Sequence, residues 1–219
     1  MSSFAVIIAG LSGAGKTTVA DALIAAEGNL EMSRSATTRQ RRGDGRDDEY
    51  VYLSREEFLT SIEHGDMLEH TDYNGNLYGT RRCELSRILD SGKYPILVLD
   101  YNGVRALKER LDYPVYAFYV YTSLEEAERR LAYRDSLTPD SEKKHQVFLS
   151  RLAENKRDYL KLHEFPELFD FYTENVTVEE CVAELLAALS ELKAGREVMT
   201  TDEKARITAK FRKEAELKG

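Results

Sequence analysis

Phe4-Ala-Val-Ile-Ile-Ala9-Gly10-Leu-Ser12-Gly13-Ala14-Gly15-Lys16-Thr17-Thr18 joins a continuous apolar run to a glycine-rich turn. A short apolar run with no polar alternation suits a strand buried on both faces, as in a parallel sheet. The turn fits G-x-x-x-x-G-K-[ST] and opens a helix predicted over Lys16–Ala26. From average residue usage, a random match in a chain of this length has a chance of roughly 1%. This strand, turn and helix are what the chemistry requires. Glycines let the backbone curl its N–H groups toward phosphate oxygens, and the positive end of a helix stands behind them. Gly10, Ser12, Gly13, Ala14, Gly15, Lys16, Thr17 and Thr18 are therefore read as a nucleoside triphosphate loop. Lys16 would reach the β- and γ-phosphates, and the Thr17 hydroxyl would ligate Mg²⁺.

Working outward, Pro95–Asp100, Pro114–Tyr121 and the weaker Phe169–Thr173 are further apolar runs. Helices are predicted between and after them, at Asn102–Arg110, Ser123–Tyr133 and Glu179–Lys193. Ser123-Leu-Glu-Glu126 reads as a capping box, and Val182, Leu185, Leu186 and Leu189 share one helical face. Strands alternating with helices give an α/β chain with a parallel central sheet flanked by helices. Residues 33–89 break the pattern. Tyr50–Leu53 is a short aromatic strand and Tyr73–Tyr78 a hairpin around Asn74-Gly75, so an inserted mixed α+β lobe is expected. Arg134–His145 is polar, and residues 195–219 form a charged extension, helical or partly disordered, with a thin apolar stripe of Ile207, Phe211 and Leu217.

A chain of 219 residues with 42% hydrophobic and 32% charged residues buries a core without staples. Its 31 Lys+Arg against 39 Asp+Glu give a net charge of −8. That balance excludes a broad basic surface for a nucleic-acid polymer or an anionic membrane, but is silent about a small anion in a local pocket. Cys83 and Cys181 stand 98 positions apart and give neither a disulfide framework nor metal spacing. The run Phe4–Leu11 is too short for a membrane span, so a cytoplasmic protein is expected.

Two features are ambiguous from residue types alone. Asp100, at the end of a predicted strand, is either a carboxylate for magnesium or substrate or simply a turn former. Arg34, Arg39, Arg41, Arg42 and Arg46 form a local inversion of charge, either a second phosphate site or a solvated basic turn offset by neighbouring acids.

The order and spacing of further residues resemble guanylate kinase. Ser35-Ala-Thr-Thr-Arg39-Gln-Arg-Arg42, Glu49-Tyr-Val-Tyr52, Glu69 and Gly75-Asn-Leu-Tyr78-Gly-Thr80 are similar to that family's acceptor lobe, and the likeness runs over about residues 4–190. The resemblance implies a P-loop kinase core (1–32 and 90–194) with a small helical lid (about 130–152) and a GMP-binding lobe (33–89). It implies that Arg39, Arg42, Tyr50 and Tyr78 hold the GMP phosphate and that Ser35, Glu69 and Thr80 read the guanine base, with Asp100 a further GMP contact. A carboxylate suits guanine because it accepts from both N1–H and the 2-amino group, whereas adenine leaves it unpaired. Arg130, Arg134 and Arg151 fall where the family's lid arginines lie, and Asn175 falls near its adenine-contact loop. Catalytic roles are thereby implied for Lys16, Arg39, Arg130, Arg134 and Arg151. The implied reaction is ATP + GMP ⇌ ADP + GDP, with dGMP as a further acceptor, Mg²⁺ as cofactor and a monomer or homodimer as the assembly.

The sequence departs from the family in places. Where the family has D-x-D-x-Q-G, this chain has Val98-Leu-Asp100-Tyr-Asn102-Gly103. The stretch after Arg134 departs from the family's R-G-T, and residues beyond about 194 lie outside the resemblance. Two other readings stand beside this one: a phosphokinase for another nucleotide or a sugar phosphate, and a non-catalytic guanylate-kinase-like interaction module.

Overall fold

The first apolar run folds as strand β1 (Ala5–Gly10), with its first five residues fully buried, and feeds helix α1 (Lys16–Glu27) through the glycine-rich turn. The computed structural model describes residues 3–41, 47–73, 75–136 and 142–217. Two compact units are distinguished, residues 1–7 with 24–115, and residues 8–23 with 116–219, and β1 runs from one into the other.

In the first unit, β2 (Leu30–Met32) pairs in parallel with β7 (Tyr94–Val98). In the second, β8 (Val115–Tyr121, starting one residue before the boundary) pairs in parallel with β9 (Phe171–Glu174). The five-stranded order is β2-β7-β1-β8-β9. With the helices below, this is the α/β class with a parallel central sheet read from the sequence. Strands β7 and β9 are shifted from their expected bounds by a few residues. Leu99 and Asp100 leave the ladder because Asp100 starts a helix: its carboxylate accepts from the Gly103 N–H at 2.8 Å, capping α4 (Tyr101–Arg110).

The first unit also carries a four-stranded sheet within residues 33–89. β3 (Ser35–Thr37) is parallel to β4 (Tyr50–Tyr52) and antiparallel to β6 (Asn76–Arg81), which pairs with β5 (Met67–Tyr73), giving the order β4-β3-β6-β5. The expected hairpin is β5–β6, closing at Tyr73 opposite Asn76, with Gly75 at φ +78°. Helix α2 (Arg55–Glu63) starts with the complete capping box that its sequence Ser54-Arg-Glu-Glu57 encodes, and it sends Phe58 into a small core with Ala36, Met67 and Leu77. Helix α3 (Arg82–Asp90) follows β6 and places the buried Glu84 between two half-exposed arginines. Its carboxylate takes Arg34 Nε at 3.1 Å and Arg87 Nη2 at 2.9 Å, while Arg87 also reaches Glu31 at 2.8 Å. These arginines hold the Glu84 carboxyl down at about 2.

In the second unit, α7 (Val178–Lys193) packs on β9, and α5 (Leu124–Ser136) packs on α6 (Glu142–Leu162). Half of the box predicted at Ser123 forms: the Glu126 N–H donates to Ser123 Oγ at 3.1 Å, but the Glu126 carboxylate is taken by Arg129 and Arg130. Within the charged extension, residues 201–217 form helix α8 (Thr201–Leu217). Its buried line is Lys204, Thr208, Phe211 and Ala215, whereas Leu217 lies 77% exposed, so only Phe211 of the expected stripe is fully inside. Phe211 stacks on Tyr159, 4.3 Å apart and 10° from parallel, and its other ring neighbours are Tyr119, Tyr121 and Tyr172. Burying one such ring contributes about 1.5–3 kcal/mol, with roughly 0.5–1.5 more for a good aromatic pair. Among the described residues, no helix is long and apolar enough to cross a membrane.

Candidate active site

The glycine-rich turn belongs to the second unit and is held from beneath. Gly10 sits at φ +149°, where an added Cβ would stand 1.9 Å from the Val120 carbonyl oxygen, so backbone packing itself demands glycine. At Gly15, φ is +85° and a Cβ would meet the Asn175 side-chain amide at 2.6 Å. That amide donates to the Ala14 carbonyl at 2.7 Å. From α6, Asn155 takes both polar groups of Ser12: its Oδ1 accepts from the Ser12 N–H and its Nδ2 donates to the Ser12 carbonyl, each at 2.8 Å. Both asparagines are nearly fully buried. Lys16 Nζ folds back on the Gly10 and Leu11 carbonyls at 2.8 and 2.9 Å, while Thr17 and Thr18 face outward on the first turn of α1.

Two of the sequence expectations take a different form here. The Ser12 N–H is occupied by Asn155, so Ser12 supports the shape of the turn more than its inward ring of donors. Asn175 follows β9 as expected, but its side chain is spent on Ala14, so any influence on a nucleotide runs through the turn. Arg130, on α5, donates from Nη2 to the Asn175 carbonyl at 3.0 Å and from Nε to Glu126 at 2.7 Å. Arg134 lies one turn further along α5 and is exposed. Arg151 is half-buried on α6, one turn before Asn155 and on the same face. The Glu126 carboxyl is held down at about 2 by Arg129 and Arg130.

The residues that the resemblance assigns to the acceptor belong to the first unit. Arg39 follows β3 and lies among tyrosines: its Nη2 donates to the Tyr52 hydroxyl at 3.2 Å, and its guanidinium carbon lies 5.0 Å from the centre of the Tyr50 ring. The Tyr50 ring lies 6.2 Å from both Tyr52 and Tyr78. Arg39 Nε is buried and has no hydrogen-bond partner among the described residues. A guanidinium so placed is preorganised for an oxyanion, because a buried N–H left unpaired is costly and a phosphate oxygen would satisfy it. Arg42 lies outside the described residues. Ser35 is half-buried on β3, in register with Tyr50.

Glu69 pairs with Thr80 across β5 and β6, and its carboxylate accepts from the Thr80 hydroxyl at 2.7 Å. It lines a cavity of about 200 Å³ with Asp100, Asn102 and Arg110. Burial pushes the Glu69 carboxyl above the usual carboxylate range; the Thr80 hydroxyl pulls the other way and the nearby Asp100 charge adds to the rise. Glu69 is thus a strand residue that lines a cleft. Asp100 caps α4 through the Gly103 N–H and also lines this cleft.

The guanylate kinase family model matches residues 2–192. The chain belongs to the guanylate kinase family. Curated guanylate kinase from Sus scrofa is 34% identical over 188 residues, covering 85% of this chain and 91% of that one. Guanylate kinase from Clostridium perfringens is 39% identical over 137 residues, a stretch that spans 63% of that protein's length. Among solved structures, guanylate kinase from Anaplasma phagocytophilum superposes with a TM-score of 0.63 at 25% identity, covering 92% of this chain and 89% of the other.

Within this guanylate kinase fold, two supporting residues escaped the sequence reading. Asn155 looks like one polar residue among many on a long helix, and only the contact with Ser12 distinguishes it. Arg110 donates from Nη1 to the Leu68 carbonyl at 2.7 Å and also reaches the Met67 carbonyl, just where the β5 register is irregular before Glu69. A bulge re-aims the side chain that follows it, and Arg110 ties this one down. Its only sequence signal was a positive charge in the last turn of α4.

Proposed function

We propose that this protein transfers the γ-phosphoryl group of ATP to GMP, and to dGMP, giving ADP and the nucleoside diphosphate. One observation carries the acceptor assignment: the Glu69 carboxylate, steadied by the Thr80 hydroxyl, lines a cleft sized for a base and offers two acceptor oxygens to paired donors. Guanine has that donor edge; adenine does not. Arg39, with its unpaired buried Nε and its frame of Tyr50, Tyr52 and Tyr78, would take the acceptor's phosphate, with Arg42 beside it in sequence. Ser35 and Asp100 would complete that nucleotide's contacts. We read residues 33–89 as the acceptor lobe, 1–32 with 90–194 as the kinase core, and about 130–152 as its lid.

On the donor side, Gly10, Gly13, Ala14, Gly15, Lys16, Thr17 and Thr18 would cradle the triphosphate. Lys16 would exchange its two carbonyl partners for phosphate oxygens, a rotation that keeps its charge satisfied in both states. Arg134 and Arg151 would compensate charge on the moving phosphoryl group, and Arg130 would fix the Asn175 backbone. No side chain need act as nucleophile, because an oxygen of the acceptor phosphate attacks the γ-phosphorus directly as the bond to the ADP oxygen breaks. Alignment and charge compensation supply the catalysis.

Magnesium suits this donor set. Among the described residues no cluster of three His, Cys, Asp or Glu could hold a metal by itself, which agrees with an ion carried mainly by nucleotide phosphates and water. The outward Thr17 hydroxyl would be its protein ligand, with Asp100 a further oxygen for the metal or the acceptor. Bound Mg²⁺ would neutralise charge on the β- and γ-phosphates.

A coupled assay of ADP release across GMP, dGMP, AMP, UMP, CMP and TMP tests the assignment. Turnover confined to GMP and dGMP is expected. Preference for another nucleotide, or ATP binding with no turnover on any of the six, would reject it. From the net charge of −8 and two cysteines with neither a disulfide framework nor metal spacing, we infer a cytoplasmic enzyme with no polymer or membrane partner.

A further inference from the structure

We propose that α8 is a positioning element for the ATP half of the site, acting through Phe211 and Glu214; this rests on the ATP reading of the glycine-rich turn. The helix lies beyond the residues matched by the family model, which end at 192. All of the residues involved belong to the second unit.

Two routes lead from α8 to the phosphate turn. Phe211 stacks on Tyr159 of α6. The Tyr159 hydroxyl is fastened to the Thr122 carbonyl at the end of β8, so the ring cannot swing without breaking a buried hydrogen bond. One helical turn before Tyr159 stands Asn155, which grips both the N–H and the carbonyl of Ser12. One turn earlier again stands Arg151. The face of α6 that α8 clamps therefore carries the residue that shapes the turn.

The second route passes through α5. Glu214 accepts a hydrogen bond from the Leu124 N–H at 2.6 Å. Leu124 is the first residue of α5, so a carboxylate meets the positive end of that helix. The same helix holds Arg130, which donates to the Asn175 carbonyl, while the Asn175 side chain donates to the Ala14 carbonyl. Two more contacts fix α8 along its length: Lys204 to Glu167 at 2.9 Å, and Arg212 to His163 at 3.3 Å. A helix needed only to cover apolar surface would not require a buried Lys204 and a carboxylate on another helix's first N–H.

ATP and GMP are titrated separately into the full chain and into Phe211→Ala, Phe211→Met and Glu214→Gln, with steady-state kinetics and thermal melting alongside. For Phe211→Ala we expect ATP affinity to fall about tenfold and the KM for ATP to rise in step, with GMP affinity unchanged. Phe211→Met, which refills the volume, restores most of the loss. Glu214→Gln, a half-buried position that leaves the core intact, weakens ATP binding by about threefold. A folded Phe211→Ala that melts earlier yet binds ATP like the unaltered chain would overturn the proposal, as would equal losses of ATP and GMP affinity. Should Phe211→Ala fail to fold, Glu214→Gln decides alone, and unchanged ATP affinity there overturns it. Absence of ATP uptake by the unaltered chain overturns the nucleotide reading itself, and with it the role given to α8.

Discussion

The phosphate turn and the acceptor lobe both surround an expected phosphate, but they are built in opposite ways. The turn is a backbone device. Its shape comes from glycines at positive φ, and Asn155 and Asn175 occupy its outward-facing polar groups. The proposed acceptor lobe is a side-chain device on two three-residue strands and a longer hairpin, with half-buried tyrosines, an Arg39 Nε unpaired among the described residues and a Glu69 carboxyl raised by burial. One site is finished before its ligand comes; the other keeps unsatisfied groups for the ligand to complete. Nucleotide discrimination belongs with the second kind, because unpaired buried groups penalise a wrong ligand far more than a surplus contact rewards a right one.

The sharpest way to break the contrast is at Gly10. Gly10→Ala forces Cβ against the Val120 carbonyl at a strained φ, so a loss of about 3 kcal/mol or more in stability is expected, together with loss of ATP binding. Denaturant unfolding and ATP titration check it; a stable variant that binds ATP would show that the turn is adaptable after all.

Glu69→Gln acts on the other side. The ratio of kcat/KM for GMP over AMP should fall about 10- to 100-fold, since the amide offers a donor where guanine also donates. A group whose folded pKa is raised contributes stability below its unfolded pKa and loses it as pH rises through the folded value. At neutral pH the Glu69 charge is therefore a cost, and the unliganded variant should melt no earlier than the unaltered chain. Lowering the pH should weaken GMP binding from above 4.5, ahead of an ordinary glutamate. An unchanged GMP/AMP ratio removes Glu69 from base reading.

A smaller effect is expected at Glu84, which joins β3, α3 and β2 through Arg34, Arg87 and Glu31. Its carboxyl is held at about 2, so its stabilisation is present above 4.5 and disappears as pH falls toward 2. The half-exposed arginines are screened, so Glu84→Gln should cost roughly 2 kcal/mol at pH 7 and flatten the acid limb of the stability curve. Melting temperatures between pH 7 and pH 3 that match those of the unaltered chain would show the network to be inert.

The same contrast explains what could be read in the sequence. The phosphate turn is contiguous, and its strand and helix follow directly from an apolar run and the G-x-x-x-x-G-K-[ST] motif that ends it. The residues assigned to the acceptor come from β3, β4, β5 and β6 and the segments beside them, so residue types alone left the arginines undecided, and only the resemblance assigned them and Glu69. Asn155 and Arg110 were invisible because one polar residue on a helix face reads as solvated until a backbone carbonyl is seen opposite it. The stripe on α8 looked thin because two of its buried members are Lys204 and Thr208. Lys204 is satisfied by Glu167, and the Thr208 hydroxyl donates to the Lys204 carbonyl one turn back. Hydrophobicity cannot find a face whose burial depends on paired polar groups.

Arg39→Ala tests the central claim that two separate phosphates are held by two differently built halves. Calorimetric titration of ATP and of GMP into the variant should show GMP affinity reduced by about 100-fold, a loss of about 2.7 kcal/mol, with ATP affinity within twofold of the unaltered chain. Parallel losses of both nucleotides, or GMP binding that survives intact, would contradict it.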